Sequence, residues 1–210
     1  MADTVLFRGS LTEQYRPQKQ GDLVGQDKIV QRVQTLAKRG LAGRAYWIRG
    51  QSGTGKTTIA RIIAAEVADD LLVREADAAG LTVSALRELE GEMNVRGWGR
   101  GGRAYLVNEA HALRKDVIRA LLVALERIPP HVVWVFTSTV EGTESLFEDY
   151  DDASPLLSRC LRLDLARRDL ARAFAERAKE IAEREGLDGL PLKRYVRLAQ
   201  SQRNKLRAMQ

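Results

Sequence analysis

The stretch Gly50-Gln51-Ser52-Gly53-Thr54-Gly55-Lys56-Thr57 constrains the fold more than any other part of this chain. It matches Gly-x-x-x-x-Gly-Lys-Ser/Thr at every fixed position. The residue types follow from the task of holding an anion. Glycines let backbone N–H groups converge on phosphate oxygens, Lys56 neutralises β/γ charge, and the Thr57 hydroxyl can ligate Mg²⁺. Such a loop works as the turn between a strand and a helix, whose N-terminus then points at the anion. Residues 45–49 (Ala-Tyr-Trp-Ile-Arg) are partly aromatic and β-branched and predict a strand. Residues 58–67, from Thr58 on, have helical composition and length. The context therefore favours a phosphate-binding loop over a glycine-rich surface turn.

The remaining pattern alternates strands and helices. A helix is predicted at about 26–39, ended by Gly40 and Gly43. A second strand is predicted at 71–75, then a helix at 82–93 with Ser84 as its cap. A Gly/Arg loop follows at 94–103, a third strand at 104–108, and a helix at 114–127 stopped by Pro129-Pro130. Residues 132–137 (Val-Val-Trp-Val-Phe-Thr) read as a fourth strand buried on both faces. The acidic stretch 141–152 reads as a loop, 154–159 as a short helix, and 161–164 as a last strand. Helices are expected at 168–185 and 191–201, with another start near 203. This predicts an α/β class, a parallel sheet flanked by helices over 1–165, followed by a small all-α domain at 166–210.

Composition narrows the setting. The 210 residues are 44% hydrophobic and 30% charged, enough for a core and against disorder. No apolar run approaches the ~20 residues that span a bilayer. The N-terminus lacks a signal-peptide core, which predicts a cytoplasmic protein with no membrane partner. Cys160 is the single cysteine and His111 and His131 the two histidines, which excludes intramolecular disulfides and a multi-cysteine zinc site. Cys160 reads as a packing residue, and Trp47 and Trp134 as core. The net charge of +6 is spread along the chain, so a solvated basic surface is the simpler account and nucleic acid the alternative. The same two readings apply to Arg96, Trp98, Arg100 and Arg103 in the Gly/Arg loop.

The third strand ends in Asn108-Glu109-Ala110-His111. A phosphate-binding ATPase needs a third strand that delivers an Asp to the Mg²⁺ shell, with a neighbouring carboxylate to orient water. Glu109 fills the second role. Asn108 occupies the first without a formal charge, which predicts weakened Mg²⁺ handling and slow turnover with ATP binding retained.

Several separated segments together resemble clamp-loader-type AAA+ ATPases, the DNA polymerase III gamma/tau and replication factor C small-subunit family. These are Tyr15-Arg16-Pro17 with Asp22-Leu23-Val24-Gly25-Gln26, Asn108-Glu109-Ala110-His111, Ala120 to Glu126 with Pro129-Pro130-His131, and Ser158-Arg159-Cys160. The resemblance implies an AAA+ sheet domain with a helical lid, and ATP and Mg²⁺ as cofactors. Tyr15, Arg16 and Val24 would border the adenine. Thr139 would sense the γ-phosphate, with Thr137 and Ser138 as substitutes. Arg159 would act as an arginine finger on ATP in an adjacent subunit, and Arg207 would reach back from the lid. Expected partners are other AAA+ subunits of a homo- or hetero-oligomer, a sliding clamp and primer-template DNA. The chain departs from the family at Asn108 and in lacking a cysteine cluster between the first and second strands. It also stops just past Arg207, before a collar domain, which reads either as a piece cut at the lid or as a compact relative that assembles otherwise. Two other readings stand beside it: an assembly module that binds nucleotide with little hydrolysis, and another AAA+ DNA machine such as a helicase loader or branch-migration motor.

Overall fold

The computed structural model describes residues 14–17, 19–97, 99–149, 153–165, 170–187 and 189–201. Strands β1 (Arg44–Arg49), β2 (Val73–Asp77), β3 (Arg103–Asn108), β4 (Val132–Ser138) and β5 (Cys160–Asp164) form a sheet in the order β2-β3-β4-β1-β5. Every pairing in it is parallel. Parallel neighbours need crossovers, and helices supply them on both faces. They are α1 (Asp27–Ala37), α2 (Lys56–Val67), α3 (Val83–Met93), α4 (Lys115–Glu126), α5 (Val140–Asp149) and α6 (Ala153–Ser158). Two more, α7 (Leu170–Arg184) and α8 (Leu192–Ser201), follow the sheet.

The period of two along each strand divides the apolar runs between two cores. Trp47, Tyr105, Trp134 and Phe136 face α3, α4 and α6. Tyr46, Ile48, Leu106, Val133 and Val135 face α1 and α2. On the first face the aromatic rings stack across three strands. Tyr105 and Trp134 lie 4.7 Å apart, Trp134 and Phe136 6.0 Å, and Phe136 and Trp47 5.6 Å. Trp47 and Trp134 are thus core residues, each at most 1% exposed. Cys160 is also buried, and burial pushes its thiol up to about 12, which leaves it un-ionised and inert.

Three expectations need correction. The second strand begins at Val73, not 71, because Asp70–Leu72 forms a 3₁₀ turn that leaves Leu71 in solvent. The helix after it is capped by Thr82, whose hydroxyl accepts from Ala85 N–H at 3.1 Å, whereas Ser84 is exposed. The acidic stretch is not a loop. Residues 140–149 form α5, in which Thr143 and Leu146 pack inward. Its start is capped by Thr139, which accepts from Gly142 N–H at 2.9 Å, and Glu141 and Glu144 sit at the end where the helix dipole favours anions. The remaining predicted elements are present with ends shifted by one or two residues. The helix start near 203 lies outside the described residues.

Helices α7 and α8 pack on one another through Ala175, Ala178 and Tyr195. Leu170 at the head of α7 presses on Gly25, where an added Cβ would lie 2.3 Å from the leucine Cδ2. At the other end of α7, Gly186 takes φ 70° and Leu187 N–H returns to the Ala182 carbonyl at 2.8 Å, closing the helix.

The cap assignment is testable. Thr82→Ala should lower unfolding free energy by about 1 kcal/mol in urea titration. Ser84→Ala should change it by less than about 0.5 kcal/mol.

Candidate nucleotide site

The Gly-rich turn leaves β1 at the C-terminal edge of the sheet. Gly50 N–H bonds the Ser138 carbonyl at the end of β4, 3.3 Å away. Gly53 and Gly55 take φ of 82° and 97°, a region that a side chain disfavours, and the chain then enters α2 directly. Lys56 is 7% exposed, and its Nζ donates to the Gln51 carbonyl at 3.3 Å across the loop. Burial lowers the Lys56 pKa below the usual lysine value, while the charges of Glu109 and Glu141 oppose the drop. An anion above the loop would compensate this buried ammonium. Beneath the loop, Gln26 is buried and its Nε2 reaches the Thr54 carbonyl at 3.5 Å. Ser52 and Thr58 belong to the same turn and helix start, Ser52 exposed and Thr58 half-buried.

Strand parity decides which side chains meet α2. Glu75, Asn108 and Thr137 fall on the face that packs against it, Asn108 and Thr137 toward the C-terminal ends of β3 and β4 and Glu75 in the middle of β2. Asn108 Oδ1 accepts from Thr137 Oγ1 at 3.0 Å and from Thr57 Oγ1 at 3.4 Å. Its Nδ2 donates to Glu75 Oε1 at 2.7 Å. Glu75 is gripped by Arg61, with Nε at 2.8 Å and Nη2 at 3.1 Å. Burial raises the Glu75 carboxyl, but hydrogen bonds from Arg61 and Asn108 and the charges of Arg61 and Arg16 outweigh it and hold it below the usual carboxylate range.

Glu109 takes φ 51°, the sole positive φ at a non-glycine among the described residues. Strain of this kind persists where neighbours hold the chain in place. Here Thr137 Oγ1 accepts the Glu109 N–H at 3.4 Å. The Glu109 carboxylate is half-exposed, and its Oε2 lies 3.5 Å from His111 Nδ1. That nitrogen is also 3.3 Å from Ser138 Oγ, on the opposite face of the sheet. Gly142 makes room for the imidazole, since a Cβ there would meet His111 Cγ at 2.5 Å and Thr139 Oγ1 at 2.7 Å.

The three hydroxyls considered at the end of β4 thus have different work. Thr137 touches Asn108, Ser138 faces the His111 side, and Thr139 caps α5. Tyr15 donates to Glu185 Oε1 at 2.6 Å, Arg16 acts on Glu75, and Val24 is half-buried. Arg159 lies at the other edge of the sheet, before Cys160, which pairs with Ala45 at the start of β1. At ~3.3 Å per residue that is roughly 15 Å from the loop along the strand. Its guanidinium pairs with Glu126 and donates to the Pro155 carbonyl at 3.0 Å, with about a third of the side chain exposed. Arg207 lies outside the described residues. Arg100 and Arg103 in the Gly/Arg loop are tied to the Ala65 and Val95 carbonyls at 2.5 and 2.7 Å. Sequence reasoning missed Glu75, Arg61 and Gln26 as neighbours of the site. The parity of β2 and the position of Arg61 one helical turn after Thr57 were the available signals.

The chain matches the DNA polymerase III subunit tau of Bacillus subtilis with 26% identity over 196 residues, covering 82% of this chain and 33% of that protein. It matches the subunit gamma of Buchnera aphidicola with 31% identity over 180 residues, 74% of this chain and 46% of that protein. Over most of its length the chain is homologous to DNA polymerase III gamma/tau subunits, of the clamp-loader AAA+ family. It spans less than half the length of these relatives. A solved structure of the Thermotoga maritima RuvB Holliday junction branch migration motor superposes with a TM-score of 0.71 at 20% identity. It covers 93% of this chain and 62% of that one, and shows the fold to be AAA+. No family model matches the chain. Among the described residues no group of three or more His, Cys, Asp or Glu side chains could hold a metal, and no helix is long and apolar enough to cross a membrane.

Thr137→Val should remove both a donor to Asn108 and the acceptor for Glu109 N–H. We expect it to destabilise the nucleotide-free protein by about 1–3 kcal/mol in urea titration, whereas Thr139→Val should act mainly through the α5 cap.

Proposed function

We propose that the chain is an ATP-binding, clamp-loader-type AAA+ module that hydrolyses ATP at a boundary between subunits. The observation that carries the reading is the buried Lys56 closing a left-handed glycine turn beside the Thr57–Asn108 contact. These residues fit a triphosphate and Mg²⁺. The loop presents backbone donors and a buried cation, and Thr57 and Asn108 bring two neutral oxygens together. Magnesium would neutralise charge between the phosphates. On this reading Gly50 to Thr58 cradle the phosphates, Glu109 orients water, and Thr137 or Thr139 senses the γ-phosphate. Tyr15, Arg16 and Val24 approach the base. Residues 1–165 act as the nucleotide domain and 166–210 as the lid, from which Arg207 reaches back.

Arg159 is too far along β1 to serve the loop of its own chain and remains partly exposed, which supports a role toward a neighbouring subunit. The partners on this reading are further AAA+ subunits, a sliding clamp and primer-template DNA, in the cytoplasm. The names of the relatives support a replication setting. Asn108 favours a second reading, in which ATP holds subunits together and hydrolysis is minor.

Mixing separates the two. Arg159→Ala and Glu109→Gln should each lose ~10³-fold or more in hydrolysis. An equimolar mixture should regain activity, because some sites then combine an intact Glu109 with an intact Arg159. No recovery, or parental rates in Arg159→Ala, would overturn the shared site. A parent that assembles on a non-hydrolysable ATP analogue yet turns over no ATP would favour the second reading.

A further inference from the structure

The contact between Asn108 and Glu75 has no part in the reading above, although it rests on the same site. A carboxylate only accepts hydrogen bonds, so Glu75 at 2.7 Å dictates that the Asn108 amide present its nitrogen to β2. The amide oxygen is thereby turned to Thr57 and Thr137, and both hydroxyls donate to it. With its proton engaged in this way, Thr57 Oγ1 keeps its lone pairs free. A flipped amide would donate to Thr57 and occupy one of them. Arg61 fixes Glu75 in turn through two hydrogen bonds, and it lies one turn beyond Thr57 on α2. The four side chains thus form a loop of contacts, Thr57–Asn108–Glu75–Arg61, that begins and ends on one helix.

We propose that Glu75 is a positioning residue for the nucleotide site: held by Arg61, it orients the Asn108 amide so that Thr57 can ligate the cation. Two consequences distinguish this from a surface ion pair. Asn108→Asp alone sets two acceptors against each other at a hydrogen-bonding distance. Asn108→Asp with Glu75→Gln restores a donor–acceptor pair and the original net charge with the roles exchanged.

The test uses the full chain and a non-hydrolysable ATP analogue, with affinity measured by calorimetry in millimolar Mg²⁺ and again in excess chelator. Glu75→Ala should lose about 10-fold of the affinity gained from Mg²⁺ and leave the chelator value near that of the parent. Asn108→Asp should unfold at a lower temperature than the parent without ligand, and adding Glu75→Gln should recover both that loss and the Mg²⁺ effect. A Glu75→Ala protein with the parental Mg²⁺ effect would overturn the proposal, as would a double variant no better than Asn108→Asp alone. Circular dichroism melting of Glu75→Gln, which keeps the side-chain shape, guards against general misfolding. If the parent takes up no nucleotide in either buffer, the functional reading fails and this proposal fails with it. Uptake that responds to Mg²⁺ but not to Glu75 defeats the proposal alone.

Discussion

Parallel pairing of β1 with β4 on one edge and β5 on the other leaves that strand buried except at its ends. Its C-terminal end is therefore where a tight turn can present backbone donors to a ligand without opening the sheet. The turn must also reverse direction quickly enough to lay α2 against Tyr46, Ile48 and Val135, whose burial anchors the helix. Left-handed glycines at 53 and 55 permit that path. Once α2 is fixed, Thr57 and Arg61 face the ends of β3 and β2, and the chemistry available at the site follows from which residues those strands end in.

Much of this was legible in the residues. The loop, the strands carrying Trp47, Tyr105 and Trp134, and the acidic end of β3 all follow from motif and periodicity. What escaped was set by small local contacts. Thr82 and Thr139 cap helices through single hydroxyls, and neither pattern stands out against nearby serines and glutamates. Counting the charges of 141–152 suggested a loop, yet those at the head of α5 suit a helix N-terminus and Leu146 supplies its inward face. Glu75 was hidden because β2 is an exposed, charged edge strand, where such a residue is ordinarily a guard against edge pairing. The register sets Asp77 beside Asn108 and Glu75 beside Leu106, so only the shared face of the two strands and the reach of the Glu75 side chain bring its carboxylate to the Asn108 amide.

Asn108 looks different once its surroundings are included. Viewed alone, it is a neutral residue where a carboxylate is expected. In the fold it is the centre of a polar cluster whose donors and acceptors match, and whose carboxylate, Glu75, is paired with Arg61. The parental asparagine and the parental glutamate belong together, and neither is interpretable without the other.

The space beside His111 has a wider implication. Gly142 there has an ordinary backbone, so nothing about conformational freedom demands glycine, yet one methyl would collide with the imidazole and with the cap of α5 together. Because the same imidazole neighbours Glu109, a bulkier side chain at this position would be felt, through the ring, at the end of β3. Position 142 is thus a point of sensitivity at which crowding alone reaches both the α5 cap and the neighbourhood of Glu109.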